Sequence, residues 1–437
     1  MKQILFLTAV SLLCSSLAMG QSRQVPAPPQ TAPVLLIGGS IHPVSSPMIP
    51  DGWIILRDGV IDSVGSGMVP DLPEGTTTIQ LDGRHVYPGL IAADSQIGLV
   101  ETEQVDVTHD HDEYGTWTPE TRAYIALNPD SDLIPVTRAA GVLTAVVNPN
   151  GGRLPGKSTV IRLDGWTHED LAIDREAALV VEWPRDGRSS RRRGRGGGGS
   201  SSRGVEQIRE INEFFNDADS YYIARKHDPG MKPDLRYEAM RDAIEGRTPL
   251  LVRASTAGQI ESAVTWAAQR DLEVVILGGE EADRVADLLV AHDVPVIVRG
   301  VHRIPVSRHL APHSPHELPA RLHEAGVTFC IAPRDRPAHI RNLPHHAATA
   351  AAHGLPREIA LRSITLDAAE IIGQGDRLGS IDPGKSGTLI VTTGDPLELM
   401  TDVDMAFIDG RQIDLSSRHT QLRDKYLEKY RQQGRLN

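Results

Sequence analysis

The middle of the chain repeats one pattern, in which short apolar runs alternate with longer helical or irregular stretches. Strands of a parallel sheet are buried on both faces and are therefore apolar along their whole length. Strands that alternate with helical segments are typical of βα units. The runs that predict strands cover residues 86–91, 142–147, 178–182, 250–253, 274–277, 294–298 and 327–331, and residues 158–163 supply the remaining candidate. We therefore expect an α/β fold with a (β/α)8 barrel, whose chemistry lies at the C-terminal ends of the strands.

Apolar residues with helical spacing lie beside several of these runs. They predict helices over residues 260–269 and 281–291, after the fourth and fifth runs, and over 317–325, before the last run. Near the end of the chain, the apolar side chains with helical spacing are Leu422, Tyr426, Leu427 and Tyr430. We expect residues 415–437 to contain a C-terminal helix that packs on the body of the protein.

The N-terminal part of the chain has a different pattern. Between residues 34 and 79 the apolar runs are separated by Gly, Pro and Asp-Gly turns, and Asp58-Gly59 is the clearest hairpin turn. This pattern predicts small antiparallel strands.

The pattern of the first residues is typical of a secretory signal peptide. Lys2 is followed by an apolar run over 4–13 and a small-x-small site at Ala18-Met19-Gly20, which predicts a signal peptide over 1–20. The protein is then exported, to a periplasmic or extracellular location. Residues 21–32 are rich in proline and predict an extended tether. Cys330 is the one thiol left after residue 20, so we expect no internal disulfide.

The net charge of the chain indicates which classes of molecule it does not bind in general. The formal net charge is -12, which argues against general binding to nucleic acid or to anionic lipid. The apolar run over 4–13 is too short to be a transmembrane segment. Residues 185–204 contain seven arginines, seven glycines and five serines, a composition that predicts a disordered insertion within the barrel. Contact of this insertion with an anionic surface and a merely flexible insertion both remain open.

Two distant parts of the chain resemble one known family. Residues 86–96 read V-Y-P-G-L-I-A-A-D-S-Q, residues 365–373 read T-L-D-A-A-E-I-I-G, and residues 378–385 read L-G-S-I-D-P-G-K. They resemble the patterns V-x-P-G-L-I-D-x-H-x-H, T-x-N-x-A-x-x-x-G and G-S-I-x-P-G-K of the amidohydrolase superfamily, in its imidazolonepropionase-like, exported branch. The resemblance implies an amidohydrolase barrel over 86–377 and a small β-sandwich built from 33–85 and 378–414.

The same resemblance implies metal-dependent hydrolysis of carbon-nitrogen bonds in non-peptide amides. Histidines of the family hold divalent ions that activate water, and an aspartate accepts the proton of that water. This chain departs from that pattern at each histidine position. Asp94 and Gln96 replace the histidines of the first strand, Arg253 replaces that of the fifth strand, and Gly278 replaces that of the sixth. Asp335 follows the last strand, two residues later than the family's aspartate, and is the catalytic candidate.

Arg253 changes the chemistry most, because a guanidinium is a permanent cation that cannot coordinate a metal and repels one. We hypothesise that Arg253 and Asp94 form a salt bridge across the barrel mouth, in the space of the metal site, and we expect no cofactor. The alternative is zinc or another divalent metal at a displaced site formed by His109, His111 and His302.

Two functions are consistent with these residues. The first is an exported hydrolase of carbon-nitrogen bonds, with a pocket at the former metal positions. The alternative is a catalytically inactive barrel that binds a ligand or serves as a scaffold. In both cases the partner is a small-molecule ligand or substrate, and a homo-oligomer is compatible with the sequence.

Overall fold

The computed structural model of the protein describes residues 24–185, 200–306, 310–333 and 336–435. The predicted signal peptide over 1–20 and the catalytic candidate Asp335 lie outside the described residues. Most of the predicted insertion, residues 186–199, also lies outside them.

A β-sheet begins the described part of the chain. Its first strands are β1 (Val34–Ile41), β2 (Ile49–Arg57), β3 (Val60–Ser66), β4 (Thr77–Gln80) and β5 (His85–Pro88). Strands β1, β2 and β3 pair antiparallel in that order. The predicted turn at Asp58-Gly59 joins β2 to β3, and both residues have positive φ, 52° and 84°. Two successive positive φ angles match the right-handed twist of the paired strands.

The second sheet forms the barrel. Its strands are β6 (Leu90–Ser95), β7 (Val142–Val147), β8 (Gly156–Arg162), β9 (Ala172–Glu182), β10 (Leu250–Ala254), β11 (Val274–Gly278), β12 (Val296–Arg299) and β13 (Phe329–Ala332). They are hydrogen-bonded in chain order, and β13 contacts β6, so the sheet nearly closes. The strand residues are almost all buried, as the continuous apolar runs predict.

The direction of β8 differs from the (β/α)8 prediction. It runs antiparallel to both β7 and β9, whereas the other neighbouring barrel strands are parallel. Residues 148–155 and 163–171 connect it, and a parallel crossover needs about a dozen residues or more. The short connections therefore reverse the chain, and the start of β8 faces the barrel mouth.

The predicted strand over 86–91 is divided between the two sheets. The chain leaves β5 at Pro88 and enters β6 at Leu90. Gly89 lies between them, where a Cβ atom would come within 2.9 Å of Leu143 Cδ1 and 3.0 Å of Thr388 Cγ2. Glycine thus permits the close packing of the barrel on the first sheet.

The end of the chain completes the first sheet, as the composite sandwich predicts. Its strands are β14 (Leu389–Thr392), β15 (Val403–Ile408) and β16 (Arg411–Gln412). Strand β14 pairs antiparallel with both β5 and β15. The apolar cluster of this sheet combines Leu36 and Ile54 from the N-terminal part with Leu389 and Phe407 from the C-terminal part.

Helices flank the strands, and a further helix lies near the end of the described chain. They are α1 (Leu133–Arg138), α2 (His168–Leu171), α3 (Ser200–His227), α4 (Leu235–Ile244), α5 (Ala257–Ala268), α6 (Ala286–Ala291), α7 (Ser314–Glu324), α8 (Leu343–Ala352), α9 (Arg357–Arg362), α10 (Leu366–Ile371) and α11 (Arg418–Gln432). Helix α5 confirms the pattern over 260–269: Thr256 and Gln259 form a capping box, and Ile260, Val264 and Ala267 lie on its buried face. Helix α3 begins at Ser200, so the end of the predicted insertion is helical. Within the described residues, no helix has the length and apolar character needed to span a bilayer.

The predicted tether is docked on the protein where it is described. Gln30 Nε2 donates to Leu56 O, and Gly59 N donates to Gln30 Oε1, both at 2.9 Å. Ala27 N donates to Asp164 Oδ2 at 3.1 Å. These bonds satisfy backbone groups on both sides, so residues 24–30 form part of the body.

Helix α11 forms as predicted, but it is not packed on the body. A capping box at Ser417 starts it, and none of its residues is buried. Tyr426 is 49% exposed and Tyr430 is 40% exposed. Arg418 Nη1, in its first turn, lies 3.5 Å from Asp132 Oδ2.

Candidate functional site

A pocket of about 350 Å³ opens where the C-terminal ends of four barrel strands converge. These strands are β6, β7, β12 and β13, which place residues of several chain segments around one opening. The lining residues are Ser95, Gln96, Asn150, Arg299, Pro333, Arg336, Pro337 and Ile340. Strand ends of this kind carry the functional groups in barrel enzymes.

Asp94 and Gln96 lie at the end of β6 but in different surroundings. Asp94 is 2% exposed and its Oδ1 accepts a hydrogen bond of 2.8 Å from Asn148 Nδ2. Gln96 lies one residue beyond the strand and lines the pocket. Its Nε2 is buried and has no hydrogen-bond partner among the described residues. Gln96 is therefore the one of the two that offers a donor to a ligand.

Arg253 lies at the end of β10 and is 6% exposed. Its Nη1 donates to Asn150 Oδ1 at 2.6 Å and forms an ion pair with Glu182, and its Nη2 donates to Pro149 O at 2.8 Å. The guanidinium thus ties the ends of β7, β9 and β10 together.

The prediction that Arg253 forms a salt bridge with Asp94 is wrong, because the acidic partner of Arg253 is Glu182. Strand β10 pairs with β9 in a register that places Arg253 beside Glu182. Strands β6 and β10 are four strands apart in the order of the nearly closed sheet, on opposite walls of the barrel. The neighbouring carboxylate is therefore the one that Arg253 reaches.

Gly278 ends β11 and has a φ of +118°, a conformation that side chains disfavour. A Cβ atom there would lie 3.0 Å from Ala254 O. Two residues later, the side chain of Glu280 is 2% exposed, and its Oε1 lies 3.0 Å from Arg299 Nη1. The loop after β11 thus contributes a buried carboxylate instead of a histidine.

The histidines proposed for a displaced metal site lie in two places. The rings of His109 and His111 are 5.4 Å apart, and His109 Nε2 lies 3.2 Å from Thr102 O. The ring of His302 instead lies against that of His346, tilted by 33° with 4.2 Å between ring centroids, and His302 Nε2 lies 2.7 Å from Thr349 Oγ1. Across the described ranges, no group of three or more His, Cys, Asp or Glu side chains could hold a metal ion. The predicted set of His109, His111 and His302 is therefore not brought together.

One histidine near the mouth has a pKa that its surroundings shift. Burial lowers the pKa of His111; the charges of Asp112 and Asp110 oppose this shift, whereas those of His109 and Arg253 act in the same direction as burial. The Nδ1 atom of His111 is buried without a hydrogen-bond partner among the described residues.

The chain neighbours of Asp335 lie at this pocket. Pro333 and Arg336, which precede and follow Arg334-Asp335, both line the pocket. Arg336 Nε lies 3.0 Å from Glu103 Oε2.

Sequence reasoning missed several groups around this opening: Glu182, Glu280, Arg299 and Arg336. Each lies at or within five residues of the end of a predicted strand. That position was the available signal, because the ends of barrel strands converge.

A larger cavity, of about 810 Å³, lies at the opposite end of the barrel, where Pro249, Val274 and Val294 mark the starts of strands or of the runs that lead into them. Size alone favours that cavity. We place the candidate site at the mouth because the C-terminal strand ends and the unpartnered donor of Gln96 are there.

No family model matches the chain. The curated amidohydrolase tasK of Hapsidospora irregularis is 22% identical over 395 residues, which cover 82% of this chain and 39% of the relative. The crystal structure of an amidohydrolase from Thermotoga maritima MSB8 is 22% identical, has a TM-score of 0.76, and the match covers 87% of this chain and 99% of that chain. The crystal structure of a Xaa-Pro dipeptidase with methionine bound in its active site is 14% identical, has a TM-score of 0.54, and the match covers 88% and 100% of the two chains.

The barrel with its composite second sheet places this protein in the class of α/β barrels that carry a second sheet, the fold of these solved structures. The chain is amidohydrolase-like in sequence and in fold. It spans 39% of the length of the curated relative.

Proposed function

We propose that the protein hydrolyses a carbon-nitrogen bond of a small amide at the barrel mouth. The observation that carries the proposal is the pocket of about 350 Å³ at the C-terminal strand ends of an amidohydrolase-like barrel. Its volume lies within the range of small-molecule sites, which is about 300–1,000 Å³.

Amide hydrolysis needs a proton acceptor for water and a donor for the developing oxyanion. We assign the proton acceptor to Asp335, whose neighbours Pro333 and Arg336 line the pocket. We assign the donor to Gln96, because its buried Nε2 has no hydrogen-bond partner among the described residues. A donor that is fixed before the reaction stabilises the transition state without reorganising.

The divalent metal implied by the family resemblance does not fit the residues described here. Arg253 and Gly278 supply no ligand atoms at two of the family's positions. The described part of the chain offers no group of side chains that could hold the ion. We therefore assign no step of the reaction to a metal.

A second candidate function is ligand binding without turnover. The observation that favours it is Arg253, which is tied to Asn150, Pro149 and Glu182 at a position that belongs to the metal site in the family pattern. A barrel held in this way keeps the pocket while it lacks the usual water-activating group.

Release of amine from a panel of small amides by the purified full chain tests the proposal. Asp335→Asn should lower kcat/KM by about 100-fold or more, because it removes the proton acceptor. Asp271→Asn is the matched control, since Asp271 lines the cavity at the opposite end of the barrel. Turnover that survives Asp335→Asn would refute the assigned base, and ligand binding with no turnover of any amide would favour the second function.

We also propose that the protein is exported to the periplasm or the extracellular space. The charged and apolar pattern of residues 1–20 supports this location. Mass spectrometry of protein from fractionated cells should find a mature N-terminus at Gln21. Protein that keeps Met1 and stays in the cytoplasm would contradict export.

A further inference from the structure

Two guanidiniums lie in the described part of the pocket lining. Among its described residues, Arg299 and Arg336 are charged and none is a carboxylate. Arg299 is 32% exposed in its side chain and Arg336 is 57% exposed, so both reach solvent at the opening. In a chain with a net charge of -12, two guanidiniums around one opening form a local exception.

Each guanidinium forms an ion pair with an acidic residue that does not line the pocket. Glu280, with 2% of its side chain exposed, lies against Arg299 Nη1, and Glu103 lies against Arg336 Nε. An arginine has five N–H donors, and each of these contacts occupies one nitrogen. The ion pairs therefore orient both groups and leave donors for a ligand.

Polar and apolar neighbours complete the pocket. Gln96 contributes its buried and unpartnered Nε2, and Arg299 Nε is likewise buried without a partner among the described residues. Pro333, Pro337 and Ile340 supply an apolar side. The lining thus matches a small ligand with an acid group at one end and an apolar body.

We propose that Arg299 and Arg336 bind a carboxylate of the substrate, so that the protein acts on small amides that carry a free carboxylate. Planar guanidiniums pair with carboxylates through two parallel hydrogen bonds, which gives both affinity and orientation. This inference rests on the proposed function for the position of the reacting bond. The carboxylate site itself depends only on the pocket.

Binding of a matched pair of probes tests the site. N-acetyl-L-alanine and N-acetyl-L-alaninamide have nearly the same shape, and isothermal titration calorimetry measures the affinity of the full chain for each. The acid should bind about tenfold or more tightly than the amide, which is the range for charge-assisted hydrogen bonds. Acid binding that is no stronger than amide binding, including no measurable binding of either, would overturn the proposal.

Variants of the two arginines test whether these residues cause the preference for the acid over the amide. Arg336→Met should remove most of it without unfolding the protein, because Arg336 is largely exposed. Arg299→Lys keeps a positive charge near buried Glu280 but loses the planar donors, and it should weaken acid binding. Arg57→Met is the control, since Arg57 is 38% exposed and pairs with Asp62 on the other sheet. An acid preference that both site variants retain would overturn the assignment.

Two further comparisons separate the other outcomes. Inorganic phosphate that displaces N-acetyl-L-alanine more strongly than acetate does would assign the site to phosphate groups and overturn the carboxylate. Acid-selective binding without turnover of any amide would keep the site and refute the hydrolase. Turnover of neutral amides with no acid preference would keep the hydrolase and refute the site.

Discussion

Arg253 Nη1 donates a hydrogen bond of 2.6 Å to Asn150 Oδ1, which joins the end of β10 to the turn after β7. Asn150 N in turn donates to His111 O at 2.6 Å, so the same turn holds the long segment that follows β6. A guanidinium thus organises the part of the barrel mouth where the family resemblance places metal ligands. The mouth keeps its shape through hydrogen bonds of the chain itself.

Replacing Arg253 should therefore destabilise the protein. Arg253→Met removes two hydrogen bonds and one ion pair at a side chain that is 6% exposed. Glu182 is 32% exposed and water can solvate it, so we expect a loss of about 2–3 kcal/mol, below the full cost of breaking a buried pair. The free energy of unfolding from urea denaturation measures this loss.

Arg209→Met on α3 is the control for that variant. Arg209 is 61% exposed and pairs with Glu206 and Glu213 on the helix surface. Exposed pairs contribute little, so its free energy of unfolding should stay close to that of the parent. Equal losses in the two variants would show that Arg253 does not hold the mouth together.

The barrel strands could be predicted because burial on both faces leaves a continuous apolar run. The run over 142–147 coincides with β7, and the run over 250–253 lies within β10. The reversed direction of β8 could not be predicted in the same way. Its run has the same character as that of a parallel strand, and only the short connections on both sides distinguish it.

The site residues, like the strands, could be predicted only in part from the sequence. In the structure Asp94 lies in β6, Gln96 follows that strand directly, and Arg253 lies in β10. The sequence could not name the partner of Arg253, because the choice between Asp94 and Glu182 depends on strand order and register around the closed sheet. The partner of a charged residue at a strand end is a property of the whole barrel.

The docked N-terminal segment should depend on one buried carboxylate. Asp164 Oδ1 lies 2.7 Å from Arg138 Nη1, and its Oδ2 lies 3.3 Å from Arg411 Nη1 and accepts from Ala27 N. Asp164→Ala leaves the guanidinium of Arg138 buried at 4% exposure without its acid. We expect a loss of about 3–5 kcal/mol in the free energy of unfolding and faster proteolysis within residues 24–30.

Asp62→Ala provides the comparison, since Asp62 is 34% exposed and pairs with Arg57. It should change neither stability nor the rate of cleavage appreciably. Slow cleavage of the Asp164 variant within 24–30 would mean that other contacts hold this segment.

Acid should destabilise the protein through His346. Burial, followed by the positive charges of His302, His345 and His339, lowers the pKa of His346 to about 3, against an ordinary value of 6.5. Below pH 6.5 the unfolded chain binds a proton at this residue and the folded chain does not, so folding loses stability until the pH approaches 3. Above pH 6.5 both states are neutral and the residue makes no pH-dependent contribution.

His346→Gln and His346→Asn should remove this dependence. Between pH 6 and pH 4 the free energy of unfolding of the parent should fall by up to about 1.4 kcal/mol per pH unit relative to either variant. Denaturant titrations at several pH values measure the difference. Parallel curves for the parent and both variants would show that His346 has the same pKa in the folded and the unfolded chain.

Restoring the family's first-strand histidines should not restore metal binding. Asp94→His combined with Gln96→His supplies two imidazoles at the end of β6, but Arg253 remains as a cation on the opposite wall and repels a divalent ion. Gly278 cannot be converted into the missing ligand without strain, because its φ is +118°. The double variant should therefore bind zinc no more tightly than the parent in competition with a chromophoric chelator.

Adding Arg253→His to the double variant should raise the affinity for zinc at least about tenfold, since it removes the charge and adds a donor. Tight zinc binding by the double variant, with the fold intact by circular dichroism, would show that the guanidinium does not control this position.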